Sequence, residues 1–197
     1  MRFKKVFKPA LVVAAAVLFA AVPAFAFSGA RTTVEPGTTF SGTIVTFNGL
    51  TRRFTLKING FTSDAAAEEY LGTLKKRGQD AFYKAINKQD LGYFALDGMV
   101  GHDLRYVTET PTESGTRITA VFDRWLRPFE LRYGTRSSDY PFTYIEIFVK
   151  NDGKVSGTII GAARVRVNTD QPGAIDFENF AAYPAELIGI SVSNKNA

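Results

Sequence analysis

The chain has 197 residues, with 24 basic and 19 acidic side chains and a formal net charge of +5. It contains no cysteine, which excludes disulfides and cysteine-ligated zinc sites. Four of the basic residues and none of the acidic ones lie within the first eight positions. The rest of the chain is nearly neutral, so it lacks the clustered positive charge that nucleic-acid binding needs.

Residues 1–26 carry the three-part pattern of a secretory signal peptide. The basic start MRFKKVFK precedes an apolar run of 13 residues, and PAFA then places small residues at Ala24 and Ala26. The run is shorter than the roughly 20 residues that span a bilayer. We therefore expect cleavage after Ala26, export to the periplasm or the extracellular space, and no membrane span in the mature chain. An uncleaved membrane anchor is the alternative.

The next part of the chain predicts a β-hairpin followed by helices. Residues 27–39 are small and polar, which favours a flexible lead-in, and a single domain then occupies residues 40–197. Asn48-Gly49 lies between two alternating segments and predicts an N-terminal hairpin. An Ala-, Glu- and Lys-rich segment predicts one or two helices over about residues 64–88, capped by Ser63 or Asp64 and interrupted at Gly78.

Short alternating segments separated by turn residues continue to the C-terminus. We expect strands near 93–100, 103–110, 116–125, 129–134, 142–150, 154–168, 175–180 and 186–193. This spacing is typical of a large, mainly antiparallel sheet, so the predicted fold class is α+β. Sheets with so many strands tend to curl, and the sequence does not decide between an open sheet and a partial barrel.

The stretch from Pro141 to Val167 predicts a hairpin of defined register. The sequence Asn-Asp-Gly between its two strands fits a three-residue loop whose glycine adopts a positive φ. The register that follows runs from Lys150 opposite Lys154 to Phe142 opposite Ala162, and a slip of one residue would mix the two faces.

In this register one face of the hairpin is aliphatic and the other is aromatic and charged. The aliphatic face, which we assign to the core, consists of Ile145, Ile147, Val149, Val155, Ile159, Ala163, Val165 and Val167. The second face carries Ile160 and the candidate ligand-binding residues Phe142, Tyr144, Glu146, Phe148, Arg164 and Arg166. We consider three alternatives for what packs against this second face. They are a helix of the same chain, a ligand in an aromatic groove and a partner protein.

A second candidate surface lies at residues 122–140, FDRWLRPFELRYGTRSSDY. It contains the only tryptophan, Trp125, and Arg124 alternates to the opposite face of the strand. One interpretation is a recognition surface, because arginines beside aromatic side chains suit an acidic or sugar-like ligand. The alternative is a solvated sheet edge whose charged residues form weak ion pairs.

Signals for catalysis and for cofactors are weak. The only histidine, His102, is followed by Asp103, and neighbours in a strand point to opposite faces, so we expect a solvent-facing side chain. The sequence has no phosphate-binding loop and no dinucleotide fingerprint, and we expect neither a cofactor nor a metal. A carboxylate-dependent hydrolase stays open, with Glu146 as its candidate acid.

Four segments make most of the mature chain resemble an uncharacterised family of exported bacterial proteins. They are LKKRGQDAFYKAI, LRPFELRYGTRSSDYPFTYIEI, GTIIGAARVRV and DFENFAAYPAELIGI. The resemblance implies a shared domain, with no activity or site residue. We therefore expect an exported, non-enzymatic binding or envelope-associated module whose partner is a small molecule or an envelope protein. The alternatives are a purely structural or protein-interaction domain and a hydrolase.

Overall fold

Nine strands and two helices follow one another in the described part of the chain. The structure is a computed structural model, and it describes residues 33–46, 48–124, 139–167, 175–179 and 184–194. The elements are β1 (Thr38–Val45), β2 (Thr51–Ile58), α1 (Asp64–Arg77), α2 (Gln79–Ile86), β3 (Gly92–Leu96), β4 (His102–Thr112), β5 (Gly115–Asp123), β6 (Phe142–Lys150), β7 (Val155–Val167), β8 (Ile175–Asn179) and β9 (Ala185–Asn194).

Eight of these strands close into an antiparallel barrel. Their order around the barrel is β1, β2, β3, β4, β5, β6, β7 and β9, and β9 pairs with β1 to complete the ring. Strand β8 lies outside the ring and pairs with the C-terminal part of β7. The predominantly antiparallel sheet and the two helices confirm the coarse prediction. The closure is complete, however, because β9 pairs with both the first strand and β7, which no local sequence pattern reveals.

Phenylalanine and aliphatic side chains fill the interior of the barrel. Four inward-facing rings are at most 2% exposed: Phe40, Phe54, Phe94 and Phe122. The Phe94 centroid lies 6.0 Å from that of Phe54 and 5.3 Å from that of Phe122. An eight-stranded barrel is about wide enough for its own side chains. The described interior is therefore a packed core.

The two helices form where the sequence predicts them. Ser63 Oγ accepts a hydrogen bond from the backbone N–H of Ala66 at 3.3 Å, which caps α1. Gly78 separates the helices with a φ of 78°, a conformation that glycine adopts without steric cost. The first turn of α1 contains Asp64, and its last turn contains three basic residues, which complements the helix dipole.

The helices bury a second apolar cluster on the outer face of the barrel. It joins Leu71, Leu74, Phe82 and Ile86 of the helices to Tyr106, Val121, Phe142, Tyr144, Ile160, Ala163 and Val165 of the strands. The Phe82 ring lies edge-on to two strand rings, at 5.9 Å from Tyr106 and 5.7 Å from Phe142, a preferred aromatic geometry. The chain's own helices therefore cover the aromatic face of the hairpin.

The β6–β7 hairpin has the predicted turn and, over most of its length, the predicted register. Gly153 adopts a φ of 82°, and its N–H donates to the carbonyl oxygen of Lys150 at 2.9 Å. Ile145 lies opposite Ile159 as predicted, and both belong to the barrel core.

A β-bulge changes the register at the far end of this hairpin. Phe142 pairs with Ala163 instead of Ala162, so β7 contains one extra residue there and its alternation reverses. Ala163 and Val165 consequently join the outer cluster, and Val167 packs against it. The prediction that these three residues lie in the barrel core is wrong for this reason.

The residues before β1 are attached to the barrel through Val34. Its side chain belongs to the barrel core, and its N–H donates to Oε1 of Glu109 at 3.2 Å. The last residues of the segment predicted as a flexible lead-in, 27–39, therefore pack on the barrel, and β1 already begins at Thr38. The signal peptide predicted at residues 1–26 and the strand predicted at 129–134 lie outside the described residues. Within the described ranges, no helix is both long and apolar enough to cross a membrane.

Candidate functional site

The aromatic groove predicted on β6 is closed by the chain itself. Phe142 is 0% exposed and Tyr144 is 3% exposed. The Tyr144 ring also lies 4.2 Å from the ring of Phe177 in β8. The prediction that Phe142 and Tyr144 contact a ligand is wrong, because the helices and β8 occupy the space in front of them. Phe148 is half-buried on the same face of the strand.

Glu146 forms a polar network beside this cluster. The Tyr144 hydroxyl donates to Oε2 of Glu146 at 3.3 Å, and Nε of Arg117 lies 3.6 Å from the same oxygen. Burial raises the pKa of the Tyr144 phenol far above its usual value, so the hydroxyl is a donor at neutral pH. In the described part of the chain, Glu146 thus contacts a phenol and a cation, whereas glycoside cleavage needs a second carboxylate.

Arg164 and Arg166 lie on the face of β7 that points away from the aromatic cluster. The bulge reverses the alternation, so Ala163 and Val165 take the positions under the helices. Both arginines are exposed, and Nη1 of Arg166 lies 3.5 Å from Oε2 of Glu178. Their predicted place on the aromatic face is wrong because one extra residue exchanges the two faces.

The second candidate surface is only partly described. Arg124 follows β5 and is half-buried, and its backbone N–H donates to the carbonyl oxygen of Pro141 at 3.0 Å. Trp125 lies outside the described residues. A recognition surface at residues 122–140 therefore stays a prediction.

His102 is half-buried near one end of the barrel, with its ring 6.0 Å from that of Phe122, so the side chain that we expect to face solvent does so only in part. Burial lowers its pKa, and the charges of Asp123 and Asp103 partly oppose this. Arg105 lies 3.1 Å from Asp103 and 3.9 Å from Asp123. The neighbouring carboxylates are thus engaged in ion pairs, and no group of three or more His, Asp or Glu side chains in the described ranges could hold a metal.

A trough of about 510 Å³ crosses the outer face of β3, β2, β1 and β9. We name it the transverse trough, because it runs across the strands. It is lined by Ser41, Gly42, Thr43, Arg53, Phe54, Thr55, Tyr93, Ala95, Leu96, Asp97, Gly98, Gly189 and Ser191. None of these residues belongs to the cluster that the helices cover.

The strand register gives the transverse trough a floor of small side chains. Ala95 lies opposite Thr55, Thr55 opposite Ser41, and Ser41 opposite Ser191. Neighbouring strands are about 4.8 Å apart, so this row is about 14 Å long. Small side chains leave the sheet surface open along the whole row.

Larger side chains stand on either side of the floor. On one side Arg53 pairs with Thr43, and its carbonyl oxygen accepts the backbone N–H of Asp97 at 3.0 Å. On the other side Tyr93, which is 39% exposed, pairs with Lys57. Each wall lies two residues from the floor, which is about 7 Å along a strand. Within the described ranges, neither Arg53 nor Lys57 forms an ion pair.

Glycines leave both ends of the transverse trough open. Gly98 has a φ of 74° in the turn after β3, and Gly189 has a φ of 59° in β9. Gly189 belongs to the irregularity at which the pairing of β9 with β1 shifts between Ser41 and Thr43. Bulges of this kind often lie beside binding sites.

The sequence gives little indication of the transverse trough. Its floor joins residues as far apart as Ser41 and Ser191, which are 150 positions apart in the chain. Each one is an ordinary outward-facing strand residue that no motif marks. The available signal is the run of small hydroxyl side chains at outward positions of the first strand, Thr39, Ser41 and Thr43.

Comparisons with known proteins found no matching family model, no matching curated protein and no matching solved structure.

Proposed function

We propose that the protein is an exported binding module that holds an extended polar ligand in the transverse trough. The observation that carries the proposal is a floor of small side chains, three of which carry hydroxyls, between walls that contain Arg53, Asp97 and Tyr93. A few polar groups around an open floor can orient a ligand, and ligand sites commonly measure about 300–1,000 Å³.

Export is part of the same proposal. The basic, apolar and small-residue segments of residues 1–26 support translocation and cleavage after Ala26. The resemblance to exported bacterial proteins agrees with a mature protein in the periplasm or outside the cell. A cysteine-free chain that depends on packing suits either compartment.

The composition of the transverse trough supports binding over cleavage. Asp97 is the only carboxylate among its described lining residues. Glycoside-cleaving sites use two carboxylates on either side of the scissile bond. A single acidic side chain can accept hydrogen bonds from a ligand without supplying that pair.

Blocking the floor tests the proposal. Thr55→Trp places an indole in the middle of the transverse trough, and Ser41→Tyr is a second block. Mature wild-type protein incubated with an envelope extract of its host should retain a small molecule in native mass spectrometry, and both blocked variants should lose it. Circular dichroism checks that each variant is folded.

Ser156→Trp is the matched control, because Ser156 is exposed on β7, outside the trough. This variant should retain the molecule as the wild type does. A molecule that stays bound to the folded Thr55→Trp and Ser41→Tyr proteins would contradict the assigned site. A wild-type protein that retains nothing would contradict the binding function.

A protein-interaction module is the second candidate. It is favoured by exposed apolar side chains in the turns after β1 and β3: Leu50 is 64% exposed and Val100 is 88% exposed, with Met99 beside it. Contiguous exposed apolar surface is typical of interaction sites. A partner that binds these turns would bind the Thr55→Trp protein unchanged.

A further inference from the structure

We infer that the ligand of the transverse trough is an acidic oligosaccharide. This inference rests on the proposed function and adds the chemical class of the ligand. It is carried by the pairing of the strands, the free hydroxyls of the floor, the charges of the walls and the exposed apolar side chains at two corners.

The strand pairing disfavours an extended peptide as the ligand. β1 is paired on both sides, with β2 and β9, and β2 is paired with β1 and β3. A peptide that binds by strand addition needs a free sheet edge. The floor has no such edge, so side chains must provide the recognition.

The hydroxyl groups of the floor suit a ligand that also carries hydroxyls. In the described structure the floor residue Thr55 makes no side-chain hydrogen bond, and neither does Thr43, which lies beside the floor opposite Arg53. Ser191 donates only to the backbone oxygen of Ser41, at 3.2 Å. A hydroxyl both donates and accepts, so sugar hydroxyls match it. The carboxylate of Asp97 accepts hydrogen bonds but donates none, which suits a hydroxyl donor. Its negative charge repels a simple inorganic anion.

The charges of the walls indicate that the sugar is acidic. Arg53 lines one side of the floor, and Lys57, which pairs with Tyr93, lies just beyond the lining residues on the other side. Asp97 is the one carboxylate among the described lining residues, and the carboxylate of Asp103, opposite Tyr93 on β4, is paired with Arg105 at 3.1 Å. Neither Arg53 nor Lys57 is neutralised by an ion pair within the described ranges. Arginine binds carboxylates through paired, charge-assisted hydrogen bonds. Acidic groups on successive sugar units can therefore meet cations on both walls.

Two exposed apolar side chains can contact the non-polar faces of sugar rings. Tyr93 is 39% exposed at one corner, and Ile188, opposite Thr43 on β9, is 46% exposed at the diagonal corner. The C–H groups on a sugar face carry partial positive charge, whereas the face of an aromatic ring is negative. Tyr93 therefore provides a stacking surface and Ile188 a dispersion contact.

Titration calorimetry with defined oligosaccharides tests this inference. The probes are a galacturonate trimer and a mannuronate trimer, with neutral maltotriose and sodium sulfate for comparison. At least one acidic trimer should bind the mature protein, and its affinity should fall as salt is added. Arg53→Ala should weaken that binding about tenfold, a loss in the range of a charge-assisted hydrogen bond. Tyr93→Ala should weaken it by about the same factor, because it removes the stacking surface. Tyr93→Phe should bind like the wild type.

Arg52→Ala is the matched control, because it removes the same charge from the neighbouring residue, whose side chain alternates to the other side of β2. It should bind the acidic trimer like the wild type. Equal weakening by Arg52→Ala and Arg53→Ala would overturn the assigned contact. Equal affinity for maltotriose would overturn the acidic character, and equal affinity for sulfate would reveal an adventitious ion only.

The two proposals fail in different ways. If neither acidic trimer binds while the wild type still retains a molecule from the extract and the blocked variants do not, the binding module stands and the acidic sugar is wrong. If the wild type retains nothing and no trimer binds, both proposals are wrong.

Discussion

Gly157 lies in β7 where that strand passes between β6 and β9. A methyl group at this position would lie 2.5 Å from the backbone oxygen of Glu146, 2.8 Å from Cδ1 of Ile147 and 3.2 Å from Cδ1 of Leu187. The closest of these atoms belongs to backbone, which cannot move without disturbing the ladder. The position therefore requires a residue without a side chain.

Gly157→Ala should destabilise the protein by about 1–3 kcal/mol, the usual cost of overpacking. Gly161→Ala in the same strand is the control, because a methyl group there has no neighbour within 4 Å, and its effect should be close to zero. Urea unfolding of the two variants measures both values. Equal losses of stability would contradict the close approach at Gly157.

Buried tyrosines should make the protein sensitive to alkaline pH. Burial raises the pKa of Tyr106 to about 12, and a hydrogen bond with Thr108 opposes this only in part. The unfolded chain loses this proton near pH 10, whereas the folded chain keeps it. The stabilising effect is therefore complete below about pH 10 and is lost as the pH rises toward 12, at about 1.4 kcal/mol per pH unit.

Urea unfolding between about pH 9 and about pH 11 measures this loss. Tyr106→Phe removes one titrating group, so its stability should fall less steeply with pH than that of the wild type. The pKa of Tyr144 is also raised by burial, so the stability of the Tyr106→Phe variant should still decrease with pH. Identical slopes for the two proteins would contradict the role of Tyr106.

At the scale of elements, Phe82 is one of the buried side chains that attach the helices to the barrel. It is fully buried and lies against both Tyr106 and Phe142. Phe82→Ala should cost about 3–5 kcal/mol, because it leaves a cavity beside the rings of Tyr106 and Phe142. It should also expose Tyr106, so that this phenol titrates closer to pH 10. Urea unfolding and ultraviolet titration measure the two effects.

Phe148→Ala is the control for this variant. Phe148 is also a phenylalanine of the outer face, but it is only half-buried and does not belong to the helix-covered cluster. Its removal should cost clearly less and should leave the titration of Tyr106 unchanged. A cost equal to that of Phe82→Ala would mean that the helices do not depend on Phe82.

Which elements could be predicted from the sequence depends on how local their causes are. The cap at Ser63, the break at Gly78 and the turn at Gly153 each depend on residues a few positions apart, and all three were predictable. The bulge in β7, opposite the stretch between Phe142 and Tyr144, was not, because it depends on how β7 meets β6, β8 and β9 at once. That single extra residue moved Arg164 and Arg166 to the opposite face.

The candidate site was even less predictable than the bulge. The aromatic and charged residues that attract notice in the sequence are mostly used for packing or ion pairs, as Phe142, Tyr144 and Glu146 show. The transverse trough instead consists of small residues from four strands. β1, β2 and β3 pair in chain order, but β9 joins them only through the barrel closure, which is set by long-range pairing and not by any local motif.

At the scale of the whole molecule, one sheet separates two apolar clusters. One fills the interior of the barrel, and the other lies between the barrel and the helices. Strands β4, β5, β6 and β7 contribute to both, so their side chains are buried on both faces. Packing on both sides of the sheet supplies stability that a cysteine-free chain cannot obtain from disulfides.

The closure of the barrel through β9 also sets the order in which the fold can be completed. The pairing of β1 with β9 joins Thr38 to Asn194 and Thr39 to Ser193, so the pairing of β1 is complete only after β9 has been synthesised. Contacts of such long sequence separation slow folding, because a large loop must close before they form. A nascent chain therefore stays incompletely folded until β9 is available, which suits the export that we propose.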